Sequence, residues 1–382
     1  MAKQPIRILL IEDNPGDARL IELYLRETGG ASVDFAHATT LDESWQTLDQ
    51  DHADVVLLDL LLPDSIGIET VRRVHGRAPS VPIVVLTGEE DESQGPTAIQ
   101  EGAEDFLVKG RLDGPVLIHS IRYAIERNGR RRAEEALGAA QQEMAIASRI
   151  QRGLYPEVAP AVPGYDIAAA SWTATVVGGD YFDFFPMIGD WMGIAIGDCT
   201  GHGIGPALLM AETRACLRAL AMVHGDVTEI LAGANRVLTR GLPEKYFITL
   251  LLAQFSPREG AFVYTSAGHA PGFIFDPAGR VKATLKSTGV PLGITTDTDL
   301  TGVEESTTIE PGELVILLTN GIRQARSEAN ALFGDDRTFQ VIHDHYQESA
   351  RIILASLQKA VREHCHPRQP TDDFTAIIIK SV

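Results

Sequence analysis

Residues 6–13 read IRILLIED. Five of the first six residues are aliphatic, and two acids follow at once. A run this short and this apolar is a strand buried on both faces, the kind found in parallel sheets covered by helices. It carries no small-residue cleavage site and meets charge immediately, so it is not a signal peptide. Glu12 and Asp13 fall at its carboxyl end.

The same pattern recurs outward to about residue 127. Strands are expected at Ile6–Ile11, Ser32–Ala36, Asp54–Asp59, Pro82–Thr87 and Asp105–Val108. Helical stretches separate them around Asp17–Glu27, Leu41–Gln50, Ile68–His75, Gln94–Glu101 and Pro115–Arg127. Five short strands alternating with helices predict a doubly wound α/β domain on a five-stranded parallel sheet. In such sheets functional groups gather at the carboxyl ends of the strands, which here bear Glu12, Asp13, Asp59, Thr87 and Lys109.

Arg127–Leu154 contains no proline, and a 4-3-4-3 spacing runs through Ala133, Leu137, Ala140, Met144, Ala147, Gln151 and Leu154. That spacing suits either a helix packed on its own chain or a coiled-coil seam joining two copies. Pro156, Pro160 and Pro163 then break the helix. Beyond them, strands are expected at Asp166–Ala170, Met192–Asp198, Thr249–Phe255, Ala261–Ser266, Gly272–Phe275, Leu314–Thr319 and Thr375–Lys380. Helices are expected at Pro206–Val223, Val227–Arg240 and near Ala350–Glu363, giving an α+β domain with antiparallel sheets. The predicted division is 1–127, a helical linker 128–155, and 156–382.

The chain of 382 residues carries 33 Lys+Arg against 52 Asp+Glu, a net charge of -19. Such an acidic surface repels nucleic-acid backbones, and the short Arg130–Arg132 run is a solvated face. Cys199, Cys216 and Cys365 are odd in number and form no CxxC pair, which fits a reducing cytoplasm rather than a disulfide framework. No apolar run reaches the roughly 18 residues of a membrane helix. A cytoplasmic protein is expected.

The first set of strand-end residues has a definite chemistry. Glu12, Asp13 and Asp59 repel one another unless a hard cation such as Mg²⁺ neutralises them. Asp59 is then a nucleophile toward a phosphoryl group, with Lys109 offsetting charge on the transferring oxygens and Thr87 hydrogen-bonding the group once attached. The stretches ILLIEDNPGD, VVLLDLLLPDSIG, VVLTG and DFLVKG resemble the receiver domain of two-component response regulators, which is flavodoxin-like. The resemblance implies Mg²⁺ on Glu12, Asp13 and Asp59, phosphorylation of Asp59 by a histidine kinase, and Thr87 with Phe106 as switch residues. Gly110 stands where a proline commonly follows the lysine.

The second half holds acids beside glycine turns: Gly178-Gly179-Asp180 with Asp183 just beyond, Asp198 in GDCTGHG, and Asp372-Asp373 before the last strand. Carboxylates near glycines suit hard divalent ions, and two such ions about 3.5–4 Å apart activate water for in-line attack on phosphorus. The order VGGDYFDFF, IAIGDCTGHGIGPALLMA, YTSAGHAPGF, GVPLGI, LLTNGI and PTDDFTAIII resembles the PPM (type 2C-like) serine/threonine phosphatases, in the branch of sporulation and stress sigma-factor control. It implies two antiparallel sheets flanked by helices and two Mn²⁺ or Mg²⁺ ions. The implied ligands are Asp180, Asp198, the Cys199 backbone carbonyl, Asp372 and the position of Asn320; His202 supports the turn. The family usually has an aspartate and then a glutamate where this chain has Asn320 and Gln324. A neutral amide adds no charge, so the second ion is expected to bind more weakly. The output is then a phosphatase acting on a phosphorylated STAS-type anti-sigma-factor antagonist, or a phosphatase-shaped adaptor without hydrolysis. The linker would carry the signal and hold a homodimer together.

Overall fold

The computed structural model describes residues 5–28, 33–50, 52–88, 93–242, 245–295 and 303–382. Two compact units divide between Ala140 and Gln141. The first begins with β1 (Ile6–Ile11), α1 (Pro15–Glu27), β2 (Val33–Ala38), α2 (Leu41–Asp49) and β3 (Val55–Asp59). A two-residue hairpin follows, β4 (Leu61–Leu62) with β5 (Ser65–Ile66), then α3 (Ile68–Arg77), β6 (Ile83–Thr87), α4 (Gly95–Gln100), β7 (Asp105–Val108) and α5 (Gly114–Arg152). The expected strands are present within two residues, apart from Ser32, which lies outside the described residues.

The five main strands form a parallel sheet in the order β2-β1-β3-β6-β7. β1 shows why its aliphatic run does not alternate. Leu9 and Ile11 pack toward α2, α3 and α4, while Ile8 and Leu10 pack toward α1 and α5. Both faces are core from Ile8 to Ile11, so those four positions are all apolar. Chain order reverses between β1 and β3, and the crevice at their carboxyl ends lies at that switch point.

α5 corrects one expectation. The helix at Pro115–Arg127 and the linker helix are one element of 39 residues. Isolated Gly129 and Gly138 do not break it, because an interior glycine costs only about 1 kcal/mol. The seam also divides. Leu137 is exposed, Gln151 is buried, and Leu154 packs against the core of the second unit. The last turn of the seam is therefore occupied by its own chain.

The second unit contains β8 (Tyr165–Trp172), β9 (Asp180–Pro186), β10 (Met192–Cys199), α6 (Ile204–Ala221), α7 (Val227–Gly241), β11 (Ile248–Ser256), β12 (Ala261–Ala267) and β13 (Gly272–Phe275). It continues through β14 (Val281–Leu285), β15 (Glu305–Thr308), β16 (Leu314–Leu318), α8 (Asn320–Gln324), α9 (Gly334–Asp344), α10 (Ala350–Cys365) and β17 (Phe374–Ser381). Two five-stranded antiparallel sheets run β15-β12-β11-β10-β9 and β14-β13-β16-β17-β8. One core lies between the sheets, around Phe182, Leu251, Phe255, Ile274 and Ile377. A second lies under α6 and α7, and a third under α9 and α10. The layers are helix, sheet, sheet, helix, and the acid-bearing strand ends β9, β10 and β17 belong to the two sheets that face each other.

Candidate functional site

In the first unit, β1, β3 and β7 deliver the expected residues to one sheet edge. Lys109, at the start of a single 3-10 turn, places its Nζ 2.6 Å from Glu12 Oε2, 2.9 Å from Asp59 Oδ2 and 3.0 Å from Asp17 Oδ2. Carboxylate oxygens of Glu12, Asp13 and Asp59 all lie within 4.8 Å of one another. Burial raises the Glu12 carboxyl to about 7, with the Asp59 charge adding to the rise and the Lys109 hydrogen bond opposing it. Burial disfavours the Lys109 charge, but its bonds to Asp59 and Glu12 outweigh that and hold it above its ordinary value.

Thr87 ends β6, and its buried hydroxyl has no hydrogen-bond partner among the described residues. An orphaned buried hydroxyl costs about 1–3 kcal/mol, which a phosphoryl oxygen would recover. Phe106 is half-buried against the same core, close enough to α4 that a Cβ on Gly95 would strike its ring. A hard cation suits three clustered carboxylates with one lysine among them, so the residues present fit Mg²⁺. Asp17 was not anticipated; it stands in the first turn of α1, where an acid is ordinarily read as complementing the helix dipole.

In the second unit Asp180 opens β9, and Asp198, near the end of β10, is its direct cross-strand partner. Asp180 is buried; its Oδ2 accepts from Thr319 Oγ1 at 2.8 Å and Thr375 Oγ1 at 2.6 Å. Burial, with the Asp198 charge, pushes the Asp180 carboxyl well above its ordinary value. Burial also raises Asp198 to about 6, with Asp372 and Asp373 adding to the rise. Burial raises Asp373 too, although the amides of Ala174 and Gly179 oppose it. Burial leads on each of these acids and their mutual charges add to the rise, with no lysine or arginine among the leading influences. Converging carboxylates of this kind call for bound cations, so these residues fit a divalent metal centre.

Glycines make the approach possible. The Cys199 carbonyl lies 2.6 Å from where a Cβ on Gly179 would sit, so a larger residue would displace it. A Cβ on Gly321 would strike the Asp373 carbonyl, which places Asn320 and the start of α8 directly beside the Asp372-Asp373 turn. Asn320 is half-buried at that start, and Gln324 and His202 are exposed. The sequence missed Thr319 and Thr375, whose hydroxyls hold Asp180, and it gave no role to Asp373, which clamps the loop before β9. Asp183 does not join the cluster: it is fully buried and bonded by Arg218 through two nitrogens at 2.6 and 2.7 Å.

Residues 8–122 match the response regulator receiver domain. Residues 189–382, more than half of the chain, match stage II sporulation protein E. The chain belongs to the SpoIIE family. Among similar proteins, the phosphoserine phosphatase RsbU of Bacillus subtilis (strain 168) is 29% identical over 238 residues, covering 62% of this chain and 70% of RsbU. Protein IcfG of Synechocystis is 26% identical over 269 residues, covering 63% of this chain but 42% of IcfG. The SiaA PP2C domain of Pseudomonas aeruginosa superposes with a TM-score of 0.57 at 22% identity, over 64% of this chain and 98% of that domain. That likeness establishes a PP2C-type fold for the SpoIIE unit. No described helix is long and apolar enough to cross a membrane.

Proposed function

We propose that this chain is a response regulator whose receiver, phosphorylated on Asp59, controls a metal-dependent phosphatase that removes phosphate from serine or threonine of a signalling protein. The observation that carries the reading is the pairing of Asp180 with Asp198 across β9 and β10, in an acid cluster whose charges repel one another. The division follows as receiver 1–127, helical linker 128–155 and phosphatase 156–382. The similarity to the phosphoserine phosphatase RsbU supports a phosphoserine substrate, and a phosphorylated anti-sigma-factor antagonist is the substrate of this reading. A histidine kinase as phosphoryl donor, a homodimer joined through the linker and a cytoplasmic setting belong to the same reading.

In the receiver, the Asp59 carboxylate is the nucleophile. Lys109 already touches its Oδ2 and is placed to follow the charge onto the phosphoryl oxygens. The Thr87 hydroxyl then gains its missing partner. In the phosphatase, divalent cations when bound supply positive charge to the phosphoryl group and lower the pKa of water. Asp180, Asp198, Asp372, the Cys199 carbonyl and Asn320 would hold them. Thr319 and Thr375 fix the Asp180 carboxylate in one orientation.

Asn320 favours a second reading, an adaptor that binds a phosphoprotein without hydrolysis. Mn²⁺-dependent hydrolysis of p-nitrophenyl phosphate by wild type, Asp198→Ala and Asn320→Asp separates the two. Activity in the wild type, its loss in Asp198→Ala and a lower Mn²⁺ requirement in Asn320→Asp are expected. A silent wild type rescued by Asn320→Asp would establish the adaptor instead. Equal phosphopeptide hydrolysis with and without receiver phosphorylation, at saturating Mn²⁺, would sink the coupling.

A further inference from the structure

β8 stands at the edge of its sheet and pairs on one side only. It closes the order β14-β13-β16-β17-β8 and is bonded along its whole length to β17. No described strand lies along its other edge, and among the described residues no backbone group of Ile167–Ser171 is bonded to the chain outside the sheet. An edge strand directs alternate N–H and C=O groups away from its sheet, where another chain can pair with them. The side chains of Ala168, Ala169, Ala170 and Ser171 are small, so a neighbouring backbone can come close.

Two hollows of about 480 and 490 Å³ adjoin this edge and share Ala169, Ala170 and Trp172. Both lie within the second unit. One wall is α10, which presents Arg351 and Arg362. Eleven residues apart, these two share a helix face about 16 Å long, which an extended chain covers in about five residues. The opposite wall is the segment after α5, with Pro156 and with Val158, which is 80% exposed. Between them the wall is rigid: Trp172 stacks on Phe374 at 4.9 Å, and the Gln358 amide oxygen accepts from Trp172 Nε1 and, at 3.1 Å, from Arg362. Arg152 joins Arg362 around the first hollow. Among the described residues Glu157 is the one acid lining either hollow, and none of the three arginines has a carboxylate partner. On a chain of net charge -19 this groove reverses the local sign.

We propose that the free edge of β8 is a docking site for an extended acidic segment of a partner protein, which adds a strand to the sheet. The proposal goes beyond the phosphatase reading and does not depend on it. Ala168, Ala170 and Trp172 face α10, while Ile167 and Ala169 face the core between the sheets. Side chains of an added strand alternate in the same way. Those on the α10 side meet Arg351 and Arg362 and are carboxylates; those on the other side meet Pro156 and Val158 and are aliphatic. Main-chain pairing then supplies affinity, and the alternation of acid with aliphatic supplies selectivity.

The probe is a short fluorescein-labelled peptide alternating glutamate and valine, blocked at both ends and titrated with the full-length chain by fluorescence polarisation. EDTA is present, so the peptide carboxylates cannot ligate a metal and the outcome is independent of hydrolysis. Saturable binding is expected, together with slower amide exchange in Ile167–Ser171. Arg351→Gln combined with Arg362→Gln, both exposed, is expected to weaken binding about tenfold, the scale of two solvent-exposed ion pairs, with the circular dichroism unchanged. The same peptide N-methylated at every internal amide keeps its charges but cannot pair with an edge, and it is expected not to bind. No saturable binding of the acidic peptide overturns the proposal. So does retained binding of the N-methylated peptide, undiminished binding by the folded double variant, or equally tight binding of an oligouridylate, which would mark a nucleic-acid surface. If the double variant does not fold, exchange in the wild type decides: protection centred on β8 supports the site, and protection elsewhere removes it.

Discussion

His269 is a fully buried imidazole in the YTSAGHAPGF stretch, with Nδ1 3.1 Å from the Thr249 hydroxyl, which is 3.4 Å from the Asp198 carbonyl. Burial lowers its pKa to about 4. Because the folded value lies below the unfolded one of about 6.5, the unfolded chain takes up a proton that the native state refuses between those limits. Stability therefore falls as pH drops through that window, by about 2 kcal/mol between pH 7 and pH 5. The raised carboxyls of Asp180 and Asp198 act in the opposite sense, since they gain protons in the native state as pH falls. Comparing wild type with His269→Gln isolates the imidazole. Urea unfolding at the two pH values is expected to show the variant losing less stability than wild type on acidification, and parallel losses would remove His269 from the account. The carboxylates of both sites were legible as residue types because their chemistry is unusual at strand ends. His269, Thr319 and Thr375 were not, because a buried histidine or hydroxyl leaves no local pattern; their partners come from other strands.

At the scale of elements, β9 was the one strand carrying a site residue that sequence did not reveal. DYFDFFP has no polar alternation, because Asp180 to Phe185 are all buried, Tyr181 and Phe185 on the α6 side and Phe182 and Phe184 between the sheets. Its two acids are each satisfied by tertiary partners, so they looked like turn residues. Asp183 is one of them. Arg218 and Arg214 reach it from α6, which begins just after the Asp198 and Gly201–Gly203 turn. The ion pair fixes the helix that follows the metal-site loop against the strand that opens with Asp180. Removing one partner leaves an uncompensated buried charge, so Arg218→Met is expected to destabilise the phosphatase unit by about 3 kcal/mol. Replacing both members, Asp183→Leu with Arg218→Met, should recover most of that loss, because apolar packing can substitute for a buried pair. Denaturant midpoints of the three proteins check this, and a double variant no better than Arg218→Met would show that the pair positions α6 in a way packing cannot replace. α5 teaches the complementary lesson. Its helical character was evident, but its continuity from Gly114 was hidden by the change of seam partners along it.

For the whole molecule, the net charge of -19 includes the Glu12, Asp13 and Asp59 cluster and the Asp180–Asp198 pair with its neighbouring acids, which oppose folding when no cation is bound. Glu12, at about 7, and Asp198, at about 6, have folded values above those of free carboxyls. Their native forms bind protons more tightly than the unfolded chain, so without metal each cluster lowers stability as pH rises through these values. A divalent cation competes with the same protons. Its stabilising effect should therefore grow with pH. At a free concentration a hundredfold above the dissociation constant it amounts to about 2.7 kcal/mol per site when the carboxylates are ionised. Calorimetric melting with and without Mg²⁺ at pH 8 and pH 5 is expected to show a clear upward shift at pH 8 and a much smaller one at pH 5. Asp13→Asn should abolish the part of the shift that belongs to the receiver, and Asp198→Asn the part that belongs to the phosphatase. A Mg²⁺ shift of equal size at both pH values would mean that the ion acts by general screening of the acidic surface, and the assignment of two specific cation centres would then be wrong.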